Sequence, residues 1–319
     1  MAPEVFLNGR FVGRDEASVS AFDAGLQHGV GLFETMSARL GPVTSGGSPR
    51  PSVFRLMQHI DRLIGSASAL GLSQSLQREP LASAVEQTVE HAGIAHTRVR
   101  LTITGGDLNL LGGSDAATQR RSDEGGSHDP TIMIVAQAAT RYPDELFERG
   151  GRVAIADTKA NPLNAFEGHK TLDYWWRLRE LQAAATKGLD EALVFQISNH
   201  LAGGCVSNAF IVKDSVLITP IARGEEKSAL GKVSLSSPVL PGITRRFVLD
   251  NAQEKGIEVQ PRMISVSDVL DADEVFLTNS SFGVLPVTMV EAKRIGSGQV
   301  GPTTASLRDA WLRASGAGE

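Results

Sequence analysis

Segments with the apolar periodicity of helices alternate along the whole chain with segments that have the composition of strands. Apolar residues recur at helical spacing from Leu56 to Leu70, which predicts a helix over residues 53–72. Residues 97–104 and 131–138 are rich in β-branched and aliphatic side chains and predict strands. Because the alternation lacks the regular spacing of a barrel, it predicts an α/β or α+β fold in two unequal domains.

The remaining segments complete this coarse prediction. Asn8-Gly9, between two short apolar runs, is the strongest short turn signal and predicts a hairpin over residues 4–13. Helices are predicted over residues 80–93, 170–187 and 243–255, strands over residues 152–156, 190–198 and 273–278, and a second hairpin over residues 208–219.

The length of 319 residues suits two domains, since one domain typically takes about 100–200 residues. The predicted boundaries give a small N-terminal domain at residues 1–140, a linker at residues 141–150 and a larger C-terminal domain at residues 151–319. Within the first domain, residues 106–130 are rich in Gly, Ser, Asp and Arg, which predicts a mobile surface loop.

Charge and cysteine content exclude several classes of function. The net charge is −5 and no five like charges are consecutive, which argues against a nucleic-acid or membrane-surface partner. No apolar stretch is long enough to span a membrane, and no metal-ligand spacing is present. The single cysteine, Cys205, excludes an intrachain disulfide and fits a reducing compartment, so we expect a cytoplasmic protein.

Lys170 lies where a predicted loop enters a predicted helix, beside the bulky aromatic residues that follow it. Desolvation next to apolar rings penalises the ammonium form of a lysine and favours the neutral amine. A neutral lysine amine is a nucleophile toward carbonyl groups. The segment therefore indicates a catalytic lysine; the alternative is an ordinary solvated lysine at a helix start.

Two further segments are candidates for binding a phosphate. Pro241-Gly242-Ile243-Thr244 opens a predicted helix, where backbone N–H groups and the threonine hydroxyl can hold an anion. The alternative is an ordinary capped helix. Arg62 lies off the apolar stripe of its predicted helix and offers the planar fork that suits a phosphate. The alternative is a surface arginine paired with Asp61 or Glu34.

Eight sequence blocks, taken in order, carry a resemblance to a known family. They are FLNGRFV, AFDAGLQHGVGLFET, VFRLMQHIDRLIGSASALGL, HKTLDYWW, GLDEALVF, SNAFIVKDSVLITP, LPGITRRFV and ADEVFLTNSSFGVLPV. With this order and spacing the chain resembles the class IV aminotransferases, the fold-type IV enzymes that depend on pyridoxal 5′-phosphate. The resemblance covers residues 5–105 and 131–290. It implies a small α/β domain, a larger domain with a barrel-like sheet, and a homodimer.

The resemblance also implies roles for individual residues. Lys170 matches the lysine that binds the cofactor covalently and then moves a proton. Tyr174 matches the tyrosine that hydrogen-bonds the phenolic oxygen of the cofactor. The residues that match phosphate ligands are Arg62, Gly242, Ile243, Thr244 and Ser280. The residues that match the substrate pocket are His28, Phe33 and Ser281.

One departure from the family pattern bears directly on the chemistry. The family normally has a glutamate five residues before the asparagine that is Asn208 here, but position 203 is glycine. That glutamate keeps the pyridine nitrogen of the cofactor protonated, so its loss predicts a weaker electron sink. Cys205 and His200 are the nearby candidates for a substitute contact.

Two other departures are local. Thr104-Gly105-Gly106 stands where many members have Thr-Arg-Gly. An insert at residues 222–237 precedes the predicted phosphate-binding segment. We expect this insert to be a surface elaboration; the alternative is that it reshapes the mouth of the substrate pocket.

The resemblance implies an aminotransferase that acts on a small branched-chain-like or D-amino acid and a 2-oxo acid. Two alternatives stay open. The first is a lyase that eliminates pyruvate, like the aminodeoxychorismate lyases, because Thr278-Asn279-Ser280-Ser281 is more similar to that branch. The second is a family member with lost or altered chemistry, because of Gly203.

Overall fold

The chain divides into two compact units. The computed structural model describes residues 5–41, 50–107, 130–226 and 235–316. The N-terminal unit comprises Met1–Ala139 together with Lys170–Asp173, and the C-terminal unit comprises Thr140–His169 and Tyr174–Glu319. Most of the loop predicted at residues 106–130, and the centre of the insert at 222–237, lie outside the described residues.

The N-terminal unit is an antiparallel sheet covered by helices. Its strands are β1 (Val5–Leu7), β2 (Arg10–Val12), β3 (Gly31–Leu40), β4 (Pro51–Val53), β5 (His96–Thr104) and β6 (Ile132–Ala138). Its helices are α1 (Ala24–His28), α2 (Leu56–Ala69) and α3 (Arg78–Ala92). The strand order is β2-β1-β6-β5-β3-β4. The apolar faces of α2 and α3 pack on this sheet and form one core with it.

Local sequence signals explain much of this unit. Asn8 and Gly9 both have positive φ, as the tight turn between β1 and β2 requires. The apolar stripe of α2 is buried as predicted, with Ile60 and Leu63 almost fully covered. Burial of each such side chain stabilises the fold by about 1.5–3 kcal/mol. The predicted helices at residues 53–72 and 80–93 are confirmed, with slightly different ends.

The C-terminal unit contains a larger mixed sheet. Its strands are β7 (Gly151–Ile155), β8 (Glu191–Phe195), β9 (Leu201–Gly204), β10 (Asn208–Lys213), β11 (Val216–Thr219), β12 (Val259–Pro261), β13 (Glu274–Asn279), β14 (Gly283–Val290) and β15 (Lys293–Arg294). Its helices are α4 (Asp144–Arg149), α5 (Trp175–Thr186), α6 (Ile243–Glu254), α7 (Val266–Leu270) and α8 (Pro302–Ser315). The strand order is β12-β11-β10-β13-β14-β7-β8-β9, with β15 on β14.

This larger sheet curls on itself. Strands β9 and β10 are far apart in the strand order, yet Gly204 N donates to Ser207 O over 2.9 Å at the turn between them. Strand β7 pairs in parallel with both β8 and β14, so the sheet is mixed. The mixed α/β fold predicted from the sequence, with a barrel-like sheet in the larger domain, is confirmed.

The predicted start of the helix at residue 170 is wrong. Helix α5 begins at Trp175, and Lys170 lies in an extended segment before it. Phe33 N donates to Lys170 O, and Leu172 N donates to Gly31 O, so the segment runs antiparallel along β3. The segment is extended because the edge of β3 offers backbone hydrogen bonds that an early helical turn would leave unmade.

No helix in the described part of the chain is long and apolar enough to cross a membrane. The same residues include no group of three or more His, Cys, Asp or Glu side chains placed to hold a metal ion. Cys205 is a buried thiol without a disulfide partner.

Candidate active site

Lys170 lies against an aromatic ring in the N-terminal unit. Its Nζ is 4.5 Å from the centroid of the Phe33 ring. The guanidinium carbon of Arg100, on β5, is 3.8 Å from the centroid of the same ring. The Phe33 ring therefore lies against two basic side chains, a geometry that suits cation–π attraction. The sequence prediction included Lys170 and Phe33 but missed Arg100, which strand register alone places opposite Thr35.

Arg62, another predicted site residue of this unit, is held by a buried carboxylate. Its Nε donates to Glu34 Oε1 over 2.8 Å and its Nη2 donates to Glu34 Oε2 over 2.6 Å. His59 Nδ1 lies 2.7 Å from Glu34 Oε2. The arginine is thus paired with Glu34, as one alternative held, but it is not a surface residue, since its side chain is only 11 % exposed. An anion bound by Arg62 would share the guanidinium with Glu34.

Charges around Glu34 settle its protonation. Burial raises its pKa, but the Arg62 guanidinium and His59 outweigh burial and lower the pKa of Glu34 to about 2. The ionised carboxylate therefore accepts from the Nδ1–H of His59. Burial lowers the pKa of His59; Glu34 opposes this, while Arg62 and Lys170 add to it. His59 Nε2 is buried and has no hydrogen-bond partner among the described residues.

In the C-terminal unit, the first turn of α6 has the features of an anion site. Gly242 caps the helix without any side-chain bond to the first N–H groups. A Cβ at Gly242 would overlap Asn208 Oδ1, while Asn208 Nδ2 donates to Leu240 O over 2.8 Å. Thr244 Oγ1 is buried and lacks a hydrogen-bond partner in the described residues. An acceptor bound at this turn would satisfy that hydroxyl and the helix N–H groups.

The other predicted site residues are distributed over three places. Tyr174 directly precedes α5, with its ring centroid 5.8 Å from the guanidinium carbon of Arg177. Ser280 and Ser281 lie in the turn between β13 and β14, where Asn279 Oδ1 accepts from Ser281 N over 2.8 Å. His28 is the last residue of α1 and is exposed. Thus Lys170 and Phe33 are in contact, and Tyr174, Ser280 and Ser281 belong to the C-terminal unit.

The backbone at Gly203 leaves no room for a side chain. Its φ is 154°, and a Cβ there would lie 2.7 Å from Ser207 O. The sequence suggested Cys205 and His200 as substitutes for the missing carboxylate. Burial raises the pKa of the Cys205 thiol. His200 Nδ1 lies 3.1 Å from Ser198 Oγ.

Glu191 is a buried carboxylate behind the same turn, and sequence reasoning missed it. It accepts from Cys205 N over 3.2 Å, from Val206 N over 3.3 Å and from Ser207 Oγ over 3.0 Å. Burial raises the pKa of Glu191, although these donors oppose the shift. The carboxylate thereby fixes the turn that leads into Asn208 and the Gly242 contact. No periodicity marks such a residue, because its donors in this turn are 14–16 positions away.

Comparisons with known proteins show which proteins this chain is similar to. A family model described as amino-transferase class IV matches residues 31–290. A putative branched-chain-amino-acid aminotransferase of Methanocaldococcus jannaschii is 31 % identical over 309 residues, which cover 96 % of this chain and 94 % of the relative. An aminodeoxychorismate lyase of Bacillus subtilis is 26 % identical over 312 residues, covering 95 % of this chain and 92 % of the relative.

A solved structure has the same fold. The branched-chain amino acid aminotransferase of T.th. with pyridoxamine 5′-phosphate superposes with a TM-score of 0.82 at 26 % identity. The superposition covers 99 % of this chain and 95 % of that chain. The match therefore extends over almost the whole chain.

Proposed function

The chain belongs to the class IV aminotransferase family, whose enzymes use pyridoxal 5′-phosphate, and from this premise we propose that it transfers an amino group between a small amino acid and a 2-oxo acid. The amino acid is branched-chain-like or of D configuration. One observation carries the proposal: the Lys170 amine and the Arg100 guanidinium both contact the Phe33 ring. An apolar ring beside a guanidinium suits a substrate that has an apolar side chain and a carboxylate.

The residues of the C-terminal unit fit the phosphate of the cofactor. A phosphate needs several N–H or O–H donors, and the first turn of α6 offers its N–H groups and the buried, unpartnered Thr244 hydroxyl. The absence of a side chain at Gly242 keeps this turn against Asn208. We assign Gly242, Ile243, Thr244 and Ser280 to the phosphate in this unit, and Tyr174 to the phenolic oxygen. In the N-terminal unit we assign Arg62 as a cation for the same group.

The chemistry is divided between the cofactor and this chain. When bound, pyridoxal 5′-phosphate supplies an electron sink for the negative charge that develops at the substrate Cα. Lys170 Nζ would hold the cofactor covalently and would serve as the acid and base that moves a proton at the substrate Cα. Phe33 gives the lysine an apolar wall, and Arg100 pairs with a substrate carboxylate. His28 and Ser281 are the further pocket residues of the proposal.

We extend the proposal to a homodimer in the cytoplasm. The C-terminal unit exposes several large apolar side chains that a second copy would cover, among them Leu163, Phe166, Trp175 and Leu178. The side chain of Trp175 is the most exposed of these, at 81 %. Light scattering coupled to gel filtration tests the oligomeric state, and a monomer at micromolar concentration contradicts it.

A second candidate is a lyase that eliminates pyruvate. Asn279 supports it, because this residue organises the turn that carries Ser280 and Ser281, and Asn279 is the feature most similar to the lyase branch. Pyruvate release from an aminodeoxychorismate-like substrate, with no amino acceptor present, distinguishes the lyase. An aminotransferase would stop after one half-reaction under the same conditions.

The decisive experiment is the absorbance spectrum of the protein with added pyridoxal 5′-phosphate, followed by borohydride reduction and peptide mapping. We expect a visible band that reduction fixes on the peptide containing Lys170, and that a suitable amino acid bleaches. Lys170→Ala should lose the band and the adduct, whereas Lys187→Ala, at the exposed end of α5, should keep both. A wild-type protein without band or adduct would favour a member that has lost its chemistry, as the change at Gly203 suggests.

A further inference from the structure

The insert has a tightly bonded base next to the first turn of α6. We call residues 222–226 and 235–239 the insert root. Glu226 closes it, because its carboxylate accepts from Gly224 N over 2.8 Å and from Ser237 N over 2.6 Å. Arg223 N donates to Val239 O over 2.9 Å, and Ser237 Oγ donates to Ile221 O over 2.6 Å. The two arms of the root are therefore one connected piece.

The root forms a bidentate ion pair with α6. Arg245 Nη1 lies 2.7 Å from Glu225 Oε1, and Arg245 Nη2 lies 2.8 Å from Glu225 Oε2. The arginine is 2 % exposed and donates also to Pro220 O and Thr219 Oγ1. Burial raises the pKa of Glu225, but the guanidinium outweighs it and holds the pKa below its ordinary value. Because Arg245 directly follows Thr244, this pair fixes the turn that presents the Thr244 hydroxyl.

The same root contacts a second functional segment within the C-terminal unit. Arg223 Nη1 donates to Glu167 O over 3.0 Å. Gly168 packs so closely that a Cβ there would lie 2.8 Å from Ser237 O and 3.0 Å from Arg223 Cδ. Arg177 Nη2 holds the Glu167 carboxylate over 2.8 Å. Glu167 and Gly168 precede Lys170 by three and two residues, so the root bonds the backbone that leads into the lysine.

We propose that Glu225 and Arg223 are positioning residues, through which the insert root sets the first turn of α6 and the Glu167–Gly168 backbone. The inference rests on the proposed function, because that turn is assigned there to the cofactor phosphate. Without Glu225 the buried Arg245 must find another partner, and the turn must move with it. The sequence led us to expect a surface elaboration; the root instead reaches both functional segments.

The phosphate dependence of cofactor binding tests Glu225. We measure by spectral titration the affinity of the apoenzyme for pyridoxal 5′-phosphate and for pyridoxal, which lacks the phosphate. Glu225→Gln should lose about tenfold in affinity for the first and little for the second, because only the phosphate contacts the displaced turn. A general loss of stability would lower the affinities for both ligands equally. Glu225→Asp, which keeps the charge on a shorter stem, should restore part of the loss.

The matched control is Asp250→Asn. It removes the ion pair between Asp250 and the exposed Arg246, the residue after Arg245 on the same helix, and should leave both affinities unchanged. If Glu225→Gln does not fold by circular dichroism, Glu225→Asp provides the comparison, and we expect it to show the same selective loss to a smaller extent. An unchanged ratio of the two affinities in the folded Glu225 variants overturns the role of Glu225.

Arg223 has a separate readout. Arg223→Gln should keep the affinity for pyridoxal 5′-phosphate but slow the appearance of the borohydride-trapped adduct on Lys170 several-fold, since Glu167 O loses its donor. An unchanged trapping rate overturns the role of Arg223. If the wild-type protein forms no adduct at Lys170, the proposed function fails and this inference fails with it. A normal wild-type adduct with unaffected variants refutes this inference alone.

Discussion

Glu34 on β3 holds one edge of the Arg62 guanidinium on α2, with Nε 2.8 Å from Oε1 and Nη2 2.6 Å from Oε2. The carboxylate is 1 % exposed and also receives His59 Nδ1. Two residues 28 positions apart in sequence, one on a strand and one on a helix, thus orient a cation that we propose binds the cofactor.

Glu34→Gln should destabilise the fold by about 3 kcal/mol, because it removes one partner of a buried ion pair and keeps the size of the side chain. Urea unfolding measures the effect. Asp61→Asn is the control on the same helix: it removes the exposed pair with Arg78 and should cost less than about 1 kcal/mol. Equal effects of the two variants would contradict a structural role for the buried pair.

His169 should make the stability depend on pH. Burial, together with the Arg223 guanidinium, lowers the pKa of His169 to about 4, from the ordinary value of 6.5. Below pH 6.5 the unfolded chain takes up a proton at His169 that the folded chain does not. The contribution of neutral His169 to the free energy of unfolding is therefore fully present above pH 6.5 and is lost as the pH falls toward 4.

The wild type should therefore lose about 1–2 kcal/mol more than His169→Asn across that interval, after allowance for solvent screening. Urea unfolding of both proteins at several pH values measures the difference, in which the contribution of His59 cancels. Parallel curves for the two proteins would show that His169 titrates normally in the folded state.

Gly242→Ala should damage the first turn of α6 by steric overlap alone. Its φ of −67° and ψ of 140° suit alanine, so the cost comes from the overlap of a Cβ with Asn208 Oδ1. We expect the free energy of unfolding to fall by about 1–3 kcal/mol. The affinity for pyridoxal 5′-phosphate should fall more than the affinity for pyridoxal.

Gly65→Ala is the control for that substitution. Gly65 lies inside α2 with no atom within 4 Å of a new Cβ, so alanine should stabilise the fold by about 0.5–1 kcal/mol. If both substitutions changed the free energy of unfolding in the same direction, the steric explanation would be refuted.

Gly203→Glu should fail to restore the carboxylate that the family pattern has at this position. With φ at 154° and Ser207 O at 2.7 Å from a new Cβ, any side chain strains the backbone by about 1–3 kcal/mol. Gly203→Ala separates this strain from the effect of the carboxylate and should be destabilised to a similar degree. A Glu variant as stable as the wild type in thermal unfolding would show that the turn at 205–207 adapts.

Local patterns predicted the elements whose causes are local. The Asn8-Gly9 turn and the apolar stripe of α2 depend on neighbouring residues, and both are confirmed. The start of α5 depends on the open edge of β3, more than 130 residues earlier, and the pattern around Lys170 carries no trace of it. The sequence prediction therefore starts this helix five residues too early.

Buried charges were the weakest part of the sequence prediction. Arg62 was placed off the apolar stripe, which is right, but its burial depends on Glu34. Glu191 and Arg245 are also buried, and each has side-chain hydrogen bonds to residues at least 14 positions away. Composition treats such residues as surface, because a buried charge is tolerated only where the fold brings its donors or acceptors to it.

The four residues Lys170–Asp173 belong by contact to the N-terminal unit, although the chain on both sides of them belongs to the other unit. No single cut in the gene can therefore separate the two units. A fragment that ends at residue 139 lacks both the lysine and the backbone partner of β3. An exchange of the N-terminal unit with that of a relative must therefore include Lys170–Asp173 as well as the first 139 residues. Recombinants between family members should fold only if both segments come from the same parent.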